Sequence, residues 1–437
     1  MAVKFGKSAL FTLKALGVTA MIIFMTLPLS IVEDTIDDRS DYKATAQSKI
    51  TNSWGGQITV TPPALYVPFA AKETQTYENG RTVTKDRVYY SIYYPKEANA
   101  HIRVTTQIRN IGIFKVPVFT ADITIEGSFG AVPLVKNAKP AEAFAEIALS
   151  GPSGVRSFSA FETLFNGEKR TPKFINNTEA DKSFECVYQE CAKSLLVAMP
   201  IDDNLPNDFK ITAVIKGSDA LHYIPVADKN TIQIVSDWKD PSFSGAYLPD
   251  EKTINDQGFD ATWNIANIVL IPDPRQLKFT TSFITPIDNY RNALRGAKYG
   301  SLFILMTFAL FFAFEVAGKK SIHPIQYLLI GFAMVIFYSL LVSFSEFIDF
   351  AVSYLIAAAA TITLIIAYIK FGVFKNIRAK QLGFVTLSFA FLYGYLYVLL
   401  QLQDMALLYG SIGLFAALAI VMFVTRNIGW YEEQTAA

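Results

Sequence analysis

The sequence predicts an α+β membrane protein with six transmembrane helices, one N-terminal and five C-terminal, and a large antiparallel β-sandwich-like domain inserted between the first and second spans. Three observations carry this: one apolar run behind three lysines at the N-terminus, five apolar runs in succession after residue 299, and between them a long stretch whose apolar residues alternate with period two. The same marks divide the 437 residues into a cytoplasmic tail and signal-anchor helix (1–32), a β-rich domain (33–298), a five-helix bundle (299–425) and a second tail (426–437).

At the N-terminus Lys4, Lys7 and Lys14 precede the apolar run Ala15 to Val32, and Glu33, Asp34, Asp37 and Asp38 follow it. Basic residues before and acidic residues after mean entry from the cytoplasm. Pro28, Leu29, Ser30, Ile31 and Val32 lack the small-residue pattern of a cleavage site, so the segment reads as an uncleaved anchor.

Residues 33–298 then lie on the outer side, which in a Gram-negative bacterium is the periplasm. Ile102, Val104, Thr106 and Ile108 alternate with Arg103, Thr105, Gln107 and Arg109; Ile123 and Ile125, Ile211, Ala213 and Ile215, and Ile232, Ile234 and Ser236 repeat the pattern. Such strands bury one face and wet the other, as in antiparallel sheets. Turn residues at Asn79–Gly80, Asn110–Gly112, Gly151–Gly154, Asn166–Gly167 and Gly217–Ser218 punctuate them. Helix is expected only at Arg39 to Ile50 and at Asp288 to Lys298, the latter continuing into the second span.

The later runs are Gly300 to Ala317, Gln326 to Phe344, Phe350 to Lys370, Leu382 to Leu402 and Met405 to Thr425. Each is near the roughly 20 residues a helix needs to cross a bilayer, and only a helix satisfies its own backbone there. The breaks alternate in charge: Lys319, Lys320 and His323, then Glu346 and Asp349, then Lys375, Arg378 and Lys380, then Asp404. The basic breaks are cytoplasmic by the positive-inside bias, which also puts Arg426 and the C-terminus inside.

A hydrophobic content of 51% and a mean hydropathy of +0.29 fit a lipid-embedded chain. A net charge of +1, without an arginine-rich tract, argues against nucleic acid as a partner. The lipid bilayer is the first partner implied. Cys186 and Cys191, spaced C-x4-C on the outer side, read as a disulfide more readily than as half of a zinc site, with reduced structural thiols the other reading.

His101, His222 and His323 are scattered, and His323 lies across the membrane from the other two. No metalloprotease helix, phosphate loop or nucleophile elbow occurs, and no cofactor is implied. Ser53–Gly56 and Ser150–Gly154 resemble phosphate loops but lack the strand before and helix after, so they read as turns. Within the apolar runs the ionisable residue that stands out is Glu315, near the cytoplasmic boundary. A structural role is expected there, with a basic residue or tyrosine as partner: Lys319 lies four residues on, and His323 and Gln326 sit across the turn broken by Pro324.

Phe311-Phe312-Ala313-Phe314-Glu315 followed by His323-Pro324-Ile325-Gln326-Tyr327-Leu328-Leu329 resembles the CreD family of bacterial inner-membrane proteins. So do Ser345 and Glu346, Thr425 to Tyr431 including Arg426, Pro241 to Gly245 before Leu248 and Pro249, and Thr285 to Tyr290. The likeness covers nearly the whole chain, is strongest after Asp237 and is loose through Ala71 to Asn230, where the cysteine pair looks like a local addition. The resemblance implies a role in cell-envelope integrity, tied in some bacteria to a two-component system, tolerance of a DNase colicin and β-lactam response. It implies no catalytic residues, because the family has none agreed.

The leading expectation is therefore a non-enzymatic envelope protein whose periplasmic β-domain binds or senses a lipid, glycan or protein. A transporter or lipid flippase is the second reading. A periplasmic hydrolase using carboxylates such as Asp202, Asp203 and Asp237 is the third.

Overall fold

The computed structural model describes residues 7–76, 82–150, 161–171, 173–174, 194–201, 206–266, 273–283, 289–318, 322–373, 378–402 and 405–425. Two compact units emerge, one formed by Met1–Ala44 with Ile287–Ala437 and the other by Thr45–Pro286. Both divisions fall inside the 33–298 interval drawn from sequence, because helices run on past the apolar stretches at each end.

The first unit is helical: α1 (Lys7–Trp54, of which the part from Thr45 belongs to the second unit), α2 (Asn289–Gly318), α3 (Pro324–Ser345), α4 (Phe350–Tyr368), α5 (Ala379–Gln401) and α6 (Ala406–Thr425). Five of these helices, α1 to α5, are long and apolar enough to cross a membrane among the described residues. Helix α1 is unbroken through Pro28. Proline removes one backbone donor there, and the Thr26 and Ser30 hydroxyls donate to the carbonyls of Ile23 and Leu27 at 2.6 and 2.8 Å.

Val18, Met25, Leu29, Val32 and Ile36 recur at helical spacing on the buried face of α1, whereas Leu16, Ile23 and Ile31 are each about two-thirds exposed. Large apolar side chains displayed this way are suited to lipid. Small residues let the helices close: a Cβ on Gly300 of α2 would lie 2.9 Å from Leu29 Cδ1, and one on Gly331 of α3 would lie 2.7 Å from Met25 Sδ.

The second unit holds two mixed sheets. Its strands are β1 (Ile58–Val60), β2 (Ala64–Thr76), β3 (Thr82–Tyr93), β4 (Glu97–Ile111), β5 (Phe114–Ser128), β6 (Phe144–Ser150), β7 (Phe161–Phe165), β8 (Glu168–Arg170), β9 (Lys173–Phe174), β10 (Ser194–Ala198), β11 (Asp208–Ser218), β12 (Ala220–Tyr223), β13 (Lys229–Ser236), β14 (Ser242–Gly245), β15 (Glu251–Asn255), β16 (Gly258–Ala266) and β17 (Phe279–Ser282). One sheet runs β14-β17-β12-β1-β6-β10-β9 with β2 and β3 branching from β6; the other runs β15-β16-β13-β4-β5-β11-β7-β8. Both feed one hydrophobic core. In it Trp263 stacks on Phe279 at 4.7 Å and Phe119 lies against Phe283 at 4.8 Å.

Three details depart from the sequence expectations. Pairing is not uniformly antiparallel, since β1 runs parallel to β12 and β4 parallel to β13. The β4 alternation buries Ile102 and Val104 but leaves Ile108 52% exposed. The cause is that β13 ends at Ser236, opposite Val104, so β4 and β5 continue beyond it as a ribbon. Gly217 and Ser218 are not a turn but the end of β11, opposite Phe119 and Val118. A Cβ on Gly217 would come within 2.6 Å of the Phe119 ring, so glycine serves close packing, and the turn falls at Asp219 with φ 64°.

Candidate functional site in the membrane unit

Two carboxylates stand at opposite ends of the same three helices. Glu315, on the last turns of α2, is 9% exposed. It accepts from Lys14 Nζ of α1 and, at 3.1 Å, from the hydroxyl of Tyr327 on α3. The Tyr327 ring is itself held edge-on by Phe308 and Phe311, with centroids 5.4 and 6.3 Å away. A glutamate can remain in this apolar setting because its partners supply both a countercharge and a second donor.

Glu346, the C-cap of α3, makes the corresponding cluster at the other end. Arg39 of α1 grips it through both oxygens, Nε to Oε1 at 2.7 Å and Nη2 to Oε2 at 2.8 Å, and the Tyr290 hydroxyl of α2 adds a third bond to Oε1 at 2.8 Å. The planar guanidinium fork matches the carboxylate, which makes this the geometrically stricter of the two. Lys43 Nζ lies 5.5 Å from the Tyr290 ring centroid, and the Arg39 guanidinium 5.6 Å from that of Tyr42.

These contacts put α1 and α2 in antiparallel register. Lys14 meets Glu315, Leu29 meets Gly300, and Arg39 meets Tyr290 on one carboxylate. Each advance along α1 is matched by an equal retreat along α2. From Tyr327 to Glu346 along α3 is about 29 Å at about 1.5 Å per residue, close to the roughly 30 Å of a hydrocarbon core. The Glu315 cluster therefore stands at one edge of the apolar run of α1, beside Ala15, and the Glu346 cluster lies about two turns beyond the other edge, past Val32.

His323 and Gln326 cap α3 instead of serving Glu315. Gln326 Oε1 accepts from the His323 backbone N–H at 3.0 Å, and His323 Nδ1 accepts from that of Ile325 at 3.3 Å, with Pro324 at the first helical position. Gln326 Nε2 also donates to the carbonyl of Gly372 at 3.4 Å. Cys186, Cys191, Asp202, Asp203, Lys319, Lys320 and Arg426 lie outside the described residues.

In the β-rich unit, Asp237 is a local cap that accepts from the Thr106 backbone N–H and hydroxyl, both at 2.8 Å. Exposed His101 pairs with half-buried Gln233 at 3.1 Å. His222 sits half-buried between Thr280 Oγ1 at 2.8 Å and Gln57 Oε1 at 3.2 Å. Burial, aided by the charge of Lys278, pushes its imidazole down to about 4. Two features escaped sequence reasoning. Glu146 of β6 is fully buried and accepts from the Tyr66 hydroxyl, although a glutamate in an alternating strand reads as solvent-facing. Trp54, which ends α1, is flanked by Arg109 and Lys216 at 4.6 and 4.5 Å.

Among the described residues no group of three or more His, Cys, Asp or Glu side chains is arranged to hold a metal ion. Each carboxylate of the helical clusters is occupied by a cation and a tyrosine. This arrangement can clamp helices.

Comparison with known proteins gives a consistent picture. The family described as "Inner membrane protein CreD" matches residues 10–431. Inner membrane protein CreD of Escherichia coli (strain K12) is 28% identical over 438 residues, covering 97% of this chain and 94% of that protein. Among solved structures, a mutant M1 zinc metallopeptidase of Deinococcus radiodurans bound to a Tyr-Ser-Ala substrate aligns with 43% of this chain and 42% of its own, at 9% identity and a TM-score of 0.21. Nothing about this chain rests on a likeness that distant.

Proposed function

Because the chain belongs to the CreD family of inner membrane proteins, we propose that it is a six-span, non-enzymatic protein supporting the integrity of the cell envelope. Both termini are cytoplasmic, and the sandwich-like β-rich domain is periplasmic and binds or senses an envelope lipid, glycan or protein. The orientation is supported by the charge of the breaks, with Lys319, Lys320, Lys375, Arg378 and Lys380 on one side and Glu346, Asp349 and Asp404 on the other. Helix α6 supplies the sixth span.

One observation carries the mechanistic part of this reading. Glu346 holds together Arg39 and Tyr290, which lie on the segments that lead into and out of the β-rich domain in sequence. A change in that domain that pulled on either segment would be felt at this carboxylate. The clamp is thus the natural relay between outer domain and helical bundle.

Reporter fusions after Ile50 and Thr285 should be active outside, and fusions after Lys320, Lys380 and Gln434 inside. An outside signal at Lys380 would overturn the six-span orientation. Co-purification of the tagged chain from native membranes tests the binding part, with a saturable envelope lipid, glycan or protein expected. Turnover of an envelope substrate by the pure protein would contradict the non-enzymatic reading.

A further inference from the structure

On α2 the residues Arg291, Arg295 and Lys298 are spaced four and three apart, so they share one helical face. Tyr290, Ala293 and Ala297 are buried against the bundle, whereas Arg291 and Lys298 are exposed and Arg295 is half-buried. The register of α1 with α2 sets Arg295 and Lys298 level with the end of the α1 apolar run, where the headgroups of a bilayer lie.

Three cations at this end run against the positive-inside bias, and nothing among the described residues neutralises them by an ion pair. Arg295 Nη2 donates to Asn292 Oδ1 at 2.5 Å and to the Leu400 carbonyl at 3.4 Å, both neutral acceptors. Its Nε is buried without a hydrogen-bond partner. A guanidinium with a dry, unsatisfied donor at headgroup depth is short of an acceptor, and a phosphate oxygen is the acceptor that this layer offers in quantity. Glu33 of α1 feels the charge of Lys298 but makes no ion pair with it. The acidic residues Asp34, Asp37 and Asp38 of α1 are exposed, off the face that buries Leu29, Val32 and Ile36.

We propose that Arg295, flanked by Arg291 and Lys298, forms a binding site for the phosphate of an anionic lipid headgroup. The orientation proposed above puts this site in the outer leaflet. Binding itself does not depend on that orientation, so the two readings fail separately.

The test uses the full chain in detergent, with native mass spectrometry reading retention of added phosphatidylglycerol and, as the phosphate-free control, diacylglycerol. Wild type should retain the first and not the second. Arg295→Gln should weaken retention about tenfold, the scale of one charge-assisted hydrogen bond, and Arg295→Lys should weaken it less because the charge survives without the fork. Millimolar inorganic phosphate should leave the lipid in place. Displacement would show a site for free phosphate and overturn the lipid assignment. Unchanged retention by an assembled Arg295→Gln overturns the site altogether. If that variant fails to assemble, the exposed pair Arg291→Gln with Lys298→Gln decides, since retention equal to wild type would equally dismiss it.

Discussion

The two carboxylate clusters use the same parts, a glutamate, a cation from α1 and a tyrosine, yet they are built for different tolerances. At Glu315 the cation is a lysine, a point charge on a flexible stem, and the tyrosine lies under two phenylalanines. At Glu346 the cation is an arginine bound through both oxygens, its own side chain 38% exposed. Both carboxylates are equally enclosed, 9% and 10% exposed, and both cations reach solvent, Lys14 at 27% and Arg39 at 38%, so the shape of the cation is what separates a forgiving cluster from a strict one. The difference teaches that at equal enclosure of the carboxylate, fork geometry sets the cost of changing its cation.

The largest effect follows from loss of a carboxylate, at Glu315. Glu315→Leu removes the acceptor of the Tyr327 hydroxyl and a countercharge of Lys14; a broken buried pair costs about 3–5 kcal/mol, reduced here because the Lys14 side chain is 27% exposed. Steady-state abundance in membranes should fall severely. Glu315→Gln keeps an acceptor for both partners and should assemble near normally. If that variant abolished envelope function at unchanged abundance, the carboxylate would be a proton-linked group and not a clamp.

Next comes the packing that lets the clusters meet. Gly331→Val sets methyl groups against Met25 and Phe308, and overpacking of this kind costs roughly 1–3 kcal/mol. The midpoint of detergent-solubilised thermal denaturation should drop, whereas Gly383→Ala, with open space around it, should leave the midpoint unmoved.

The strict cluster predicts a smaller and more discriminating result. Arg39→Lys retains the charge but forfeits the fork, so about 1 kcal/mol is expected to be lost. At the Glu315 site the reciprocal change, Lys14→Arg, should be nearly silent in the same melt. Equal sensitivity at both ends would erase the distinction drawn here.

The smallest effect lies in the β-rich unit. The His222 imidazole is held down to about 4, below its ordinary 6.5, so the unfolded chain takes up a proton more readily over that interval. Its contribution to stability is therefore complete above pH 6.5 and is lost as pH falls toward 4, an effect on the order of 1 kcal/mol after solvent screening. His222→Gln, which still bonds with its neighbours but does not titrate, should flatten the slope of tryptophan-monitored urea midpoints between pH 6.5 and 4.5. An unchanged slope would assign it to other groups.

Much of this was legible from residue order and some was not. Apolar run lengths gave the helices, and period two gave β11 and β13 with their buried faces, because each signal is local. Glu315 stood out as a charge in an apolar run. Its partner Lys14 is 301 residues away, and no spacing rule reaches that far. Glu346 was visible in an acidic break and in a resemblance, but its partners were not, since Arg39 and Tyr290 become its neighbours through helix packing. Ile108 misled because its parity was right while its neighbouring strand had ended. Glu146 was invisible because sequence shows which face of a strand a side chain takes, but not whether both faces are covered.

The claim that α1 is held by a charge-specific clamp at Glu346 is tested most directly by exchanging the charges, with abundance and melting midpoint measured for Arg39→Glu, Glu346→Arg and the two combined. The account predicts that each single change, which sets like charges against each other, lowers both readouts, and that the combination recovers most of the loss, short of the share contributed by Tyr290. A double variant no better than the worse single one would contradict it.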